Sequence, residues 1–187
     1  MSSIKLKHSS GNGVSIAAPE SNPASDRTLY VPSNANGTIL TNTTPGCILQ
    51  VKIATLGSIY QGSPTDWTDI GLSGTITLAS TSNKLLITSS LSPYLDGGSE
   101  QRFGLQILAT PSGGSSTTAI QDDHWCYRTN DDWKSSSGHH QALISPSSTA
   151  EITVKAQVKR YDSNTEFVQL FSAATSTNTL LLQEVAG

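Results

Sequence analysis

Between Glu151 and Lys159 the chain alternates without a break: Ile152, Val154, Ala156 and Val158 are apolar, while Glu151, Thr153, Lys155, Gln157 and Lys159 are polar. Period two is the repeat of a β-strand, whose successive side chains leave on opposite faces, and it cannot lay one apolar stripe along a helix. A segment of this kind is a half-buried antiparallel strand with one wet face. Leu49, Val51 and Ile53 alternate with Gln50, Lys52 and Ala54 in the same way. Leu72–Leu78, Lys84–Leu91, Phe103–Ala109, Gln141–Ser145, Thr165–Leu170 and Asn178–Val185 read as further strands. Turn clusters such as Gln61–Pro64, Asp96–Ser99, Pro111–Ser115, Ser145–Ser148 and Tyr161–Asn164 separate them. No segment carries a persuasive helical stripe. The expectation is an all-β chain whose larger part is a jelly-roll-like antiparallel β-sandwich. Its expected core is Leu49, Val51, Ile53, Leu85, Ile87, Phe103, Leu105, Ile107, Ile152, Val154 and Val158.

Composition agrees. Of 187 residues, 29 are Ser and 22 are Thr, more than a quarter of the chain. Their hydroxyls compete for backbone hydrogen bonds and weaken helices, whereas Thr suits strands and Ser suits turns. Charged residues are 13%, about half the ~25% typical of soluble domains. A net charge of −3 supplies no basic stripe for nucleic acid. No apolar run approaches the ~18 residues that span a membrane, so no membrane insertion is expected. The first residues, Met1-Ser-Ser-Ile-Lys-Leu-Lys7, alternate and lack the apolar region of a signal peptide, which points to synthesis and retention in a cytoplasm. In that compartment Cys47 and Cys126 read as free thiols.

The first part of the chain has a different texture. Ile4–Lys7 and Val14–Ala17 are very short alternating segments, followed by a Pro-containing stretch and by Arg27–Pro32 and Gly37–Leu40. Two-stranded pieces are marginal in water, so such a segment needs a partner surface. With Thr43–Gly46 as the boundary, residues 1–46 read as an attachment and oligomerisation segment and residues 47–187 as the sandwich. Ile4, Leu6, Val14 and Ile16 are the candidate contacts to a neighbouring chain or a particle.

One stretch concentrates chemistry. Asp122, Asp123, His124, Trp125, Cys126, Tyr127, Asp131, Asp132, Trp133, His139 and His140 fall within nineteen residues. The spacing matches no zinc template, because adjacent histidines on a strand face opposite ways, and no metal is expected. Two readings remain: a polar loop with the aromatics packed beneath it, or an exposed loop that binds a host glycan or a neighbouring subunit. In the second, aromatic faces stack on sugar C–H groups while Asp side chains bond hydroxyls. The candidate ligand or receptor residues are Asp122, Asp123, His124, Trp125, Tyr127, Asp131, Asp132, Trp133, His139 and His140. There is no phosphate loop, nucleophile elbow or metalloprotease helix. Asp66 and Asp69, around Trp67, read as strand-edge residues rather than a glycosidase pair. No catalytic residue and no cofactor are expected.

The run Ile4-Lys-Leu-Lys-His-Ser-Ser-Gly-Asn-Gly-Val-Ser-Ile16, with Arg27-Thr-Leu-Tyr-Val-Pro32 and Gly37-Thr-Ile-Leu40, resembles N-terminal modules of tail-fibre-like structural proteins of marine bacteriophages, notably cyanophages. The distal part resembles a module common in the same virions. It enters through Pro45-Gly-Cys-Ile-Leu-Gln-Val-Lys52, continues with Ser80-Thr-Ser-Asn-Lys-Leu-Leu-Ile87, and ends at Thr179-Leu-Leu-Leu-Gln-Glu-Val-Ala186. The resemblance implies a virion structural protein, assembled as a homotrimer in a bacterial cytoplasm, with its N-terminal part on the particle. Its partners would be its own copies and other virion proteins, to which the Asp122–His140 stretch adds a host surface glycan. Unlike long fibres, the chain has no extended repeat shaft. Tail fibre, host-attachment knob and capsid decoration all stay open, beside a stand-alone carbohydrate-binding module.

Overall fold

The computed structural model describes residues 3–7, 10–11, 13–17, 45–97, 100–127, 134–135, 138–161, 165–170 and 178–187. All regular elements among them are strands. The chain divides into two compact units, Met1–Ile39 and Leu40–Gly187. In the first, β1 (Ser3–Lys7) and β2 (Gly13–Ala17) form an antiparallel pair. Its register sets Ile4 opposite Ile16 and Leu6 opposite Val14. Arg27–Pro32 and Gly37–Leu40 lie outside the described residues.

The second unit carries β3 (Ile48–Thr55), β4 (Tyr60–Gly62), β5 (Thr68–Thr77), β6 (Lys84–Leu91), β7 (Pro93–Gly97), β8 (Glu100–Pro111), β9 (Thr117–Tyr127), β10 (Lys134–Ser135), β11 (Gly138–Ile144), β12 (Glu151–Arg160), β13 (Thr165–Leu170) and β14 (Thr179–Val185). The long strands make two four-stranded sheets, β11-β6-β14-β3 and β5-β12-β8-β9. Counted in chain order, the eight long strands pair first with eighth, second with seventh, third with sixth and fourth with fifth. That is one long antiparallel ribbon, its tip at the turn between β8 and β9. Rolling it brings β14 beside β6 and β12 beside β8, which completes both sheets. This order defines a jelly roll. The four short strands form a third sheet, β10-β7-β13-β4. Each lies in the chain between two long strands, so this sheet is the same ribbon where it passes from one large sheet to the other.

Two local devices let the ribbon bend. The β5–β12 register shifts between Lys155 and Gln157, and Gly71, with φ of +81°, takes up a backbone conformation that a side chain would strain. At the corners, Asn178 is buried; its side-chain oxygen accepts from Ser92 N at 2.7 Å and its backbone carbonyl from Leu56 N at 3.0 Å. One residue thereby ties the entry of β14 to the ends of β3 and β6.

The expected core positions Leu85, Ile87, Phe103, Leu105, Ile107, Ile152, Val154 and Val158 are all buried, joined by Ile70, Leu72, Ile76, Leu180 and Leu182. The alternation in β3 has the opposite sense to the one expected. Leu49 is half-buried, and Val51 and Ile53 are 49% and 69% exposed. The cause is register: β14 sets Leu180 opposite Ala54 and Glu184 opposite Gln50. Leu180 and Glu184 are buried, so Ala54 and Gln50 share the inner face while Val51 and Ile53 turn outward. Strand β9 was not expected. Its run Gln121-Asp-Asp123 is polar on both faces and leaves no period-two signal.

Candidate functional site

Because β9 is a strand, the acidic stretch expected as one exposed loop is divided by the pleat. Asp122 stands opposite Leu105, a core residue of β8, and Asp123 opposite Gly104 on the outer face. Asp122 Oδ2 lies 3.4 Å from His140 Nδ1, which joins the edge of one large sheet to the edge of the other. The neighbouring histidines separate as strand geometry requires: His139 is exposed and His140 is half-buried. His124, Trp125 and Tyr127 hold register positions opposite Phe103, Arg102 and Glu100. Asp131, Asp132 and Trp133 lie outside the described residues.

His140 is also the cross-strand partner of Ser89, so serine, imidazole and carboxylate occur side by side. They do not form a hydrolytic relay. Ser89 is fully buried, and its hydroxyl has no hydrogen-bond partner among the described residues. A nucleophile must meet both its base and its substrate, and Ser89 meets neither.

The richer cluster lies on the outer face of the β5-β12-β8-β9 sheet. Arg102 on β8 is ion-paired with Asp123, and its guanidinium carbon sits 4.6 Å above the Tyr161 ring. Lys159 Nζ is 5.9 Å from the same ring. Trp67 meets Tyr161 edge to face, with centroids 6.4 Å apart at 89°. Backbone bonds fix these groups: Tyr161 N donates to Arg102 O at 3.1 Å, and Arg160 N to Pro64 O at 2.8 Å. Burial pushes the Tyr161 phenol above its ordinary range, and its bond to the Asp123 carboxylate raises it further, against the opposing effect of Arg102. Beneath the aromatics is Gly104, where a Cβ would stand 2.7 Å from both the Trp67 ring and the Tyr161 hydroxyl. Asp69 accepts from Lys155 at 2.8 Å and from Gln157 at 2.5 Å, and Gln106 donates to Thr118 at 2.9 Å.

Of this cluster only Asp123 was a candidate from sequence. Its available signal was Gly104, a lone glycine between Phe103 and Leu105, which marks a close approach of other groups to the strand. A cleft of about 620 Å³ lies between the β8–β9 turn and the loop from β11 to β12. Pro111, Ser112, Ser115, Ser145 and Ser148 are among its lining residues, and none of the lining is titratable. It offers hydrogen bonds and shape, but no acid or base.

The fold and site together describe a jelly-roll protein with one polar, aromatic-bearing outer face. No protein-family model matches the sequence, and no curated protein matches it either. Among solved structures, the chain is similar to the Eiger TNF of S. frugiperda, at 11% identity and a TM-score of 0.47, covering 75% of this chain and 93% of that one. It is also similar to infectious bursal disease virus VP2 in a subviral particle, at 14% identity and a TM-score of 0.48, covering 95% of this chain and 43% of that one. The Gt strain of the same virus gives 14% identity and a TM-score of 0.46, covering 95% and 42%. The chain therefore spans less than half of those viral chains. Likeness at this level recurs among unrelated antiparallel sandwiches and assigns no role.

Proposed function

We propose that the chain is a non-enzymatic structural protein of a bacteriophage virion, a trimeric tail-fibre or surface-appendage component assembled in the bacterial cytoplasm. Residues 1–46 attach it to the particle and its jelly roll meets the host or neighbouring proteins. The reading is supported by the resemblance at Ile4–Ile16 and by the observation that carries it: the hairpin of β1 and β2 has five residue pairs and no third strand among the described residues. A two-stranded ribbon of that length needs an outside surface. Ile4, Leu6, Val14 and Ile16, paired across it, are the proposed contacts. Removing residues 1–40 tests this. The expected result is a folded jelly roll that no longer enters particles, and normal incorporation would overturn the assignment. Imaging the labelled chain on the particle separates a tail fibre from a capsid decoration protein.

A second reading, a carbohydrate-binding module, is favoured by the cluster of Trp67, Arg102, Asp123 and Tyr161. Aromatic rings beside charged donors and acceptors suit a host glycan. Replacing Tyr161 and Trp67 by Ala, with host adsorption and glycan-array binding measured on folded protein, tests it. Unchanged adsorption and binding would remove it. Trp125 and Trp133 remain candidates for the same contact and are assayed in the same way.

A further inference from the structure

The two large sheets present contrasting outer surfaces. On β5-β12-β8-β9 that surface carries ion pairs and amide bonds. On β11-β6-β14-β3 an aliphatic stripe crosses it among mostly neutral polar side chains, of which Gln141 donates to Thr88 at 3.1 Å. Ile48, Val51, Ile53 and Leu143 are 51%, 49%, 69% and 55% exposed. The half-buried Leu86 and Leu181 lie between them, because the register runs Leu143 to Leu86 and Leu181 to Ile53. No carboxylate occupies an outward position of these four strands; by register Lys84, at one end, is the one outward ammonium, and His139 stands at the other end.

Single exposed aliphatics are ordinary, but a contiguous patch marks a surface that another apolar surface covers. The ladders β11–β6 and β14–β6 each run through seven pairs without a bulge, and the β14–β3 ladder shifts only near its end, between Glu184 and Val185. Four strands about 4.8 Å apart and seven residues at about 3.4 Å give roughly 500 Å² per copy. Two such faces stacked would bury about 1,000 Å² in total, the size at which specific interfaces begin. Lys84 and His139 stand at opposite ends of the face, and between them it carries no ionisable side chain and no Trp, Tyr or Phe ring. What it fits is another sheet face with such a stripe, and a second copy supplies one through symmetric association.

We propose that the outer face of β11-β6-β14-β3 is where a second copy of this chain docks. The inference rests on the reading of the chain as a self-assembling virion component, and names its surface. The test uses the full chain, with native mass measurement and light scattering at micromolar concentration. The unsubstituted protein is expected to be a discrete oligomer. Ile53→Glu and Leu143→Glu, on opposite edge strands, should each raise its dissociation concentration by about tenfold or more. Thr75→Glu, exposed on the polar sheet, should leave it unchanged. Circular dichroism checks the fold, and Ile53→Ser replaces Ile53→Glu should that variant not fold. A monomeric unsubstituted chain, an oligomer indifferent to both substitutions, or equal loss in Thr75→Glu overturns the proposal. Virion incorporation is scored separately: a chain that assembles through this face but is absent from particles refutes only the virion reading.

Discussion

The Glu184 carboxylate accepts a hydrogen bond of 2.5 Å from the side-chain amide of Asn83. Glu184 is buried, and its other donors are Gln50 Nε2 at 2.7 Å and Ala79 N at 2.6 Å. None of the three is a cation. Asn83 in turn accepts from Gly187 N at 3.2 Å. A single carboxylate thus joins β14 to β3 and to the turn ahead of β6. An unpaired buried charge would be strongly destabilising, but a carboxylate with three donors holds its site.

The bond set has a pH signature. Burial pushes the Glu184 carboxyl upward, but the bonds from Asn83, Gln50 and Ala79 outweigh burial and hold it below its ordinary 4.5. A lowered folded pKa means that this stabilisation is complete above the unfolded value and is lost as pH falls below it. Thermal melts should therefore drop below pH about 4.5, the ordinary value of the group. Glu184→Gln should flatten that drop and lower stability at neutral pH by about 1–3 kcal/mol, since it sets an amide donor among donors. An unaltered acid limb in the variant would contradict this. Asp69 shifts in the same direction but is half exposed, so Asp69→Asn should change the melts far less.

Burial separates two residues that sequence alone treats alike. Phe103 is buried and Ile53 points outward. Phe103→Ala should destabilise by about 3–5 kcal/mol in denaturant titration. Ile53→Ala should stay within about 0.5 kcal/mol for the protomer. Equal losses would mean that β3 packs in the opposite register.

Gly104→Ala tests the aromatic cluster. The added methyl meets Trp67 and Tyr161 at 2.7 Å, so both rings must move. A destabilisation of about 1–3 kcal/mol and a changed tryptophan emission are expected. A silent substitution would show that the rings do not rest on β8.

Ser89→Ala removes a buried hydroxyl that has no partner among the described residues. Desolvating that group opposes folding, so the variant should melt at the same temperature or higher. A lower melting point would point to a hydrogen bond reaching Ser89 in solution.

Most strands were legible because period two survives in any half-buried sheet. Lys84–Leu91 is bounded by the residues its alternation gives, and Ile152, Val154, Ala156 and Val158 are buried as their pattern requires. The cluster of Trp67, Arg102, Asp123 and Tyr161 was not legible. Its members come from segments far apart in sequence and meet only because β8 lies between β9 and β12.

What the amino-acid order decided alone is that most of the long strands, β9 excepted, have two unlike faces. Which face enters the core was decided by pairing, and Leu180-Leu-Leu182 shows why. Three identical side chains follow one another, yet Leu180 and Leu182 are buried and Leu181 is only half-buried. Hydrophobicity cannot rank three leucines; the pleat can, and its phase is set by the neighbours on β3 and β6. The same phase turns Ile53 outward and Glu184 inward, where Asn83, Gln50 and Ala79 supply its three donors.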